Sequence, residues 1–237
     1  MLRAIVTGGT RGIGLAIARA LVAHGHRVMI SGRSQARVDE ALRSLASQSV
    51  DPARAEGLAA DVCDPAAVEQ LVASAVKRFG GLDVLVNNAG VGAFVEVASM
   101  SDADWDRTIA TNLTGAFYCS RATIPALKKS GGGWIINIAS LAGRNFFPGG
   151  AAYCASKAGL VAFSEALMQE VRFDNIRVSV VMPGSVATAF SPEPAGSDTS
   201  WKLSPDDVAE VISDLLQHPK RSLPSKIEIR PSQPKKS

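Results

Sequence analysis

Seven short β-rich apolar runs alternate along the chain with segments of helical period, and that alternation leaves few architectures open. The runs are residues 4–7, 28–31, 58–60, 84–86, 134–138, 178–182 and 227–229, each bounded by turn residues. Between them, residues 14–24, 38–46, 66–79, 103–129, 153–172 and 205–217 repeat their apolar positions every three to four residues. Strands that are apolar throughout have no face to give to water, and each is followed by a stretch long enough for a crossover helix. The expected fold is therefore doubly wound α/β, a parallel sheet of about seven strands with helices on both faces.

At 237 residues and 46% hydrophobic positions, the chain can bury one substantial core, so residues 1–237 are read as a single domain. The formal charge of +3 comes from the end: setting aside Arg230, Lys235 and Lys236 leaves 22 basic residues against 22 acids. A neutral body has no basic face for nucleic acid, and residues 231–237 read as a solvated, flexible tail. No apolar stretch is long enough to cross a bilayer, and the first strand begins without a leader ahead of it. Three scattered cysteines, Cys63, Cys119 and Cys154, do not make a disulfide framework, which fits a reducing cytoplasm.

The first strand runs into Thr7-Gly8-Gly9-Thr10-Arg11-Gly12-Ile13-Gly14, and helical period follows at once. Glycines there let the backbone turn tightly and approach a pyrophosphate, while the helix N-terminus offers free N–H groups and the positive end of its dipole. A purely structural turn is the alternative.

The spacing Gly8-xxx-Gly12-x-Gly14 resembles the short-chain dehydrogenase/reductase family, and the similarity extends over nearly the whole chain. It implies a Rossmann-type fold with Gly8, Thr10, Arg11, Gly12, Ile13 and Gly14 at the cofactor. Asp61-Val62 after the third strand corresponds to the family's adenine contact, and Asn88-Ala89-Gly90 to the element lining the cofactor cleft. Members that prefer NAD(H) carry an acid at the end of the second strand, where this chain has Gly32-Arg33. An arginine fork can bind a 2′-phosphate that a carboxylate would repel, so NADP(H) is expected, with Arg11 as a second cation. The competing reading is that both arginines are only solvated.

Tyr153-Cys154-Ala155-Ser156-Lys157 puts a phenol and an ammonium on one helical face. A nearby cation favours phenolate, so Lys157 is expected to lower the Tyr153 pKa. The resemblance makes Tyr153 the general acid/base and gives Lys157 a second task on the nicotinamide ribose. It also assigns Ser140 to the substrate oxygen and Asn112 to a water that connects the lysine to solvent. Taken singly, Ser140 also reads as a strand-end cap and Asn112 as a satisfied buried amide. Pro183, Gly184, Val186 and Thr188 match the Pro-Gly turn and the residues that contact the nicotinamide amide.

Residues 190–202 then fall where the family carries its variable substrate loop. Phe94, Leu141, Phe146, Phe147, Phe190 and Trp201 are candidates for an apolar pocket wall, and Arg144 for a contact to an anionic substrate. The expected activity is hydride transfer between NADP(H) and a small-molecule carbonyl or secondary alcohol, with 3-oxoacyl thioesters as one substrate reading. The alternative is a catalytically inactive NADP(H)-binding regulator. A homodimer or homotetramer is implied by the resemblance.

Overall fold

A computed structural model describes residues 1–47, 51–190 and 197–234. The strands are β1 (Arg3–Val6), β2 (Arg27–Gly32), β3 (Ala55–Ala59), β4 (Val84–Asn87), β5 (Gly133–Ile138), β6 (Ile176–Pro183) and β7 (Lys226–Ile229). They form one sheet in the order β3-β2-β1-β4-β5-β6-β7, and every pairing is parallel.

Alternate residues of a strand point to opposite faces, and both faces are apolar. Ala4 and Val6 of β1 enter one core, packed with α1 (Gly12–Ala23), α2 (Gln35–Ser47) and α7 (Pro205–Gln217). Ile5 enters the other, with α3 (Pro65–Phe79), α5 (Gly115–Lys129) and α6 (Ala151–Val171). Helix starts are set by side chains. Asp64 caps α3 through the Ala66 N–H, and Ser204 and Asp207 form a reciprocal capping box on α7.

Two expectations need correction. The single helix anticipated over residues 103–129 is α4 (Asp102–Ile109) and α5 joined by a π-helical turn at Ala110–Thr114, which contains Asn112. The third strand starts earlier than its apolar residues suggest, because Ala55, Glu56 and Gly57 pair with Val28, Met29 and Ile30 at the sheet edge. Edge position tolerates the polar Glu56.

Strand order reverses between β1 and β4, since the chain winds outward from β1 through β2 and β3 and then returns to β1's other side. At such a switch point the loops beyond the strand carboxyl ends separate and leave a crevice. Among the described residues, no helix is long and apolar enough to cross a membrane. Cys63, Cys119 and Cys154 are free thiols.

Candidate active site

The crevice at the switch point is a cleft of about 1170 Å³. One end is floored by the glycine turn. Gly8 and Gly12 have φ of +63° and +54°, the left-handed region that side chains resist. Gly14 is buried behind them, where a Cβ would come 2.3 Å from the Gly8 carbonyl oxygen and 2.4 Å from Asn88 Nδ2. Asn88 Nδ2 donates to the Thr7 and Gly8 carbonyls, and the Asn88 and Ala89 N–H groups donate to Thr7 Oγ1, so the β1 and β4 loops are tied together. At the start of α1, Arg11 makes no side-chain cap, so the first N–H groups of the helix stay available to a ligand beside Thr10, Gly12 and Ile13.

Further along, Asp61, Val62, Ala89 and Gly90 line the cleft, and Asp61 Oδ1 is turned onto the Cys63 N–H at 2.9 Å. Arg11 and Arg33 line it too and are exposed. They are joined by Arg37, in the first turn of α2, which the sequence reading missed although it lies only four residues beyond Arg33. None of the three arginines forms an ion pair among the described residues. These features suit a dinucleotide phosphate: backbone close enough for a pyrophosphate, and three unneutralised guanidinium groups with no acid at the end of β2.

Tyr153, Ser140 and Lys157 converge at the other end. Lys157 is 4% exposed, donates from Nζ to the Ile138 carbonyl at 2.9 Å, and lies 5.8 Å from the Tyr153 ring centroid. Burial pulls its ammonium down to about 8. The expectation that Lys157 lowers the Tyr153 pKa is not met in this structure: burial raises the phenol, and a hydrogen bond with Ser140 counters it only in part. The Lys157 ammonium is instead aimed at the Ile138 carbonyl.

Ser140 also caps the turn after β5, accepting from the Ala142 N–H at 3.1 Å. Asn112 does not reach the cleft. Its side chain accepts from the Val91 N–H and donates to the Val91 carbonyl, both at 2.8 Å, and to Ser156 Oγ at 2.9 Å. The amide is thus fully engaged by protein, and it fixes the β4 loop against α6 beside Lys157.

Pro183, Gly184, Val186 and Thr188 line the same cleft as Tyr153, Ser140 and Lys157. Val186 is bridged to Leu203, with the Ala187 N–H donating to the Leu203 carbonyl. This bridge anchors the far end of the anticipated substrate loop, of which residues 191–196 lie outside the described residues.

Phe94, Leu141, Phe147, Phe190 and Trp201 line the cleft, whereas Phe146 does not. Arg144 does not either; its guanidinium is paired with Glu228 at 2.6 Å. In the tail, Pro231 is half-buried while Ser232, Gln233 and Pro234 are exposed. Pro231 packs toward Gly184, and Arg230, Pro231 and Pro234 line the cleft. Residues 235–237 lie outside the described residues.

Residues 3–195 match the short chain dehydrogenase family. The chain belongs to that family. A Streptomyces virginiae protein described provisionally as a monensin polyketide synthase ketoacyl reductase is 43% identical over 190 residues, spanning 79% of this chain and 72% of the relative. The alcohol dehydrogenase of the archaeon Thermococcus sibiricus, solved with 5-hydroxy-NADP, superposes with a TM-score of 0.89 at 30% identity, covering 99% of this short-chain dehydrogenase and 98% of that chain. A metagenomic short-chain oxidoreductase in complex with NADP gives 0.84 at 37% identity, covering 98% and 97%.

Proposed function

We infer that this short-chain dehydrogenase is an NADP(H)-dependent oxidoreductase acting on a carbonyl or secondary alcohol, with Tyr153 as its general acid/base. The observation that carries this reading is the meeting, in one cleft, of a glycine cradle flanked by Arg11 and Arg33 with the Tyr153, Ser140 and Lys157 side chains. The two superposed relatives whose structures hold NADP species support the same cofactor. When bound, the nicotinamide supplies or accepts the hydride.

The chain's own residues do the rest. The Gly8–Gly14 turn and the α1 N-terminus would hold the pyrophosphate, while Arg11 and Arg33 would meet the 2′-phosphate, with Arg37 lining the same cleft. Asp61 and Val62 border the adenine, Asn88, Ala89 and Gly90 the cofactor's flank. Pro183, Gly184, Val186 and Thr188 orient the carboxamide. In the reducing direction, the Ser140 hydroxyl donates to the substrate oxygen, and Tyr153 Oη delivers a proton as charge develops there. A phenol kept neutral by burial is already in the donating form. Lys157 holds the ribose and supplies positive charge beside the phenol, and Asn112 keeps the β4 loop and α6 in register. The same reading carries a homodimer or homotetramer, supported by Trp105 and Phe117 exposed on α4 and α5, and a cytoplasmic setting, supported by three free thiols.

NADPH oxidation across ketones, aldehydes, quinones and 3-oxoacyl thioesters tests the proposal, the last class included because of the Streptomyces relative. Turnover is expected with NADPH preferred over NADH, and Arg33→Asp should cut that preference by at least about tenfold, the scale of one charge-assisted bond. An unchanged preference contradicts the role of Arg33, and no turnover with any carbonyl favours the inactive regulator.

A further inference from the structure

Three phenylalanines from separate segments form a cluster with Tyr153, two packed on its ring and the third, Phe147, joined through Phe94. Phe94 lies beyond β4, Phe147 precedes α6 and Phe190 follows the Pro-Gly turn. The Phe94 and Phe190 ring centroids are 5.5 and 5.6 Å from that of Tyr153, and Phe94 is 6.1 Å from Phe147 and 6.4 Å from Phe190. Phe94 meets the phenol nearly edge-on, with 66° between the ring planes. Yet the three rings remain 43%, 43% and 38% exposed, so they present apolar surface to the cleft and do not close it off.

The backbone is shaped to hold them. A Cβ at Gly92 would come 2.8 Å from Phe94 Cζ and 3.1 Å from Phe190 Cε1, and one at Gly150 would come 2.5 Å from Phe147 Cε2. Two glycines therefore seat the cluster at contact distance, which a casually exposed ring does not require. A contiguous apolar surface left open beside a reactive hydroxyl marks a ligand site. Hydroxyl or carboxylate groups set against these rings would lose hydration with no polar partner from the rings themselves.

We propose that this ring cluster selects substrates whose carbonyl bears an aryl group attached directly or through one carbon, with Phe94 and Phe190 as specificity-determining residues. The inference rests on the reading of Tyr153 as proton donor. A carbonyl oxygen at Tyr153 Oη and Ser140 Oγ leaves its nearest substituent beside the rings, and a flat ring there gains offset or edge contacts that a puckered one of similar volume lacks.

Phenylacetone and cyclohexylacetone separate ring shape from carbonyl reactivity, because neither ring is conjugated with the carbonyl. With NADPH, kcat/KM for the aryl ketone is expected to exceed that for the cyclohexyl ketone by about tenfold, the upper end of one aromatic pairing. Phe94→Leu and Phe190→Leu, which keep apolar bulk, should each lower this ratio about threefold or more. Calorimetric titration of the Tyr153→Phe protein with NADPH bound should show the same order of affinities without turnover. NADPH-dependent reduction abolished by Tyr153→Phe, but with a ratio near or below one, or one that both leucine variants leave unmoved, overturns the aryl inference and leaves the activity standing. Turnover confined to aliphatic ketones or thioesters overturns it equally. Absence of any carbonyl turnover removes both the activity and the inference.

Discussion

Tyr153→Phe is expected to lower kcat for carbonyl reduction by about 10² to 10⁴-fold, the range for losing a positioned general acid. KM should move far less, because phenylalanine keeps the ring that packs against Phe94 and Phe190. Only the hydroxyl and its hydrogen bond with Ser140 are removed. Loss of transition-state stabilisation lowers kcat and kcat/KM together, whereas a damaged substrate pocket would raise KM instead. Steady-state kinetics at saturating NADPH, with circular dichroism to establish folding, separate these. Retention of more than about a tenth of wild-type kcat would remove Tyr153 from the proton path.

Lys157→Met should reveal what the buried ammonium costs the fold. Burial holds the Lys157 pKa at about 8 against an ordinary value of 10.5. Below pH 8 both folded and unfolded chains carry the proton, and the folded chain bears the full cost of a desolvated cation. Between about 8 and 10.5 the unfolded chain binds a proton that the folded chain has released, so this group raises the unfolding free energy as pH increases. At about 1.4 kcal/mol for each pH unit, the cost is roughly 3 kcal/mol.

The methionine variant bears no such cost. Its stability relative to wild type should therefore fall by roughly 3 kcal/mol as pH rises through that window. Losing the bond to the Ile138 carbonyl subtracts from the variant at every pH, so the pH dependence of the difference is the quantity to measure. The Cys119 thiol, which burial pushes up to about 12, is common to both proteins and cancels. Urea unfolding at pH 7 and pH 10.5 checks this, and a pH-independent difference would contradict a buried cation. Activity should be lost together with the charge.

The alternation that opened the sequence reading was enough to give the sheet, because buried parallel strands have no polar face to disguise them. What stayed hidden depends on contacts between distant segments. Asn137 lies within an apolar run, yet it accepts from Asn87 Nδ2 at 2.8 Å and donates to Ser164 Oγ at 2.8 Å, a buried polar chain that no local pattern announces. Asn112 was legible as an unusual residue in a helix, but not as the member of a π turn that ties Val91 to Ser156.

At the candidate site, helical spacing brought Tyr153 and Lys157 together correctly, while the direction of the Tyr153 pKa depended on burial that spacing does not encode. Arg37 carried a signal that went unread, a third arginine four residues after Arg33. The approach of Pro231 to Gly184 carried none, because it follows from β7 pairing with the end of β6.

The central claim is direct hydride transfer between a nicotinamide held on the glycine cradle and a carbonyl held by Ser140 and Tyr153. The decisive measurement is mass analysis of the alcohol formed from phenylacetone, an aliphatic ketone or a 3-oxoacyl thioester in ordinary water with NADPH deuterated at the transferring position. One deuterium on the former carbonyl carbon is the predicted result; an alcohol without the label, or no alcohol from any of the three, would contradict the account.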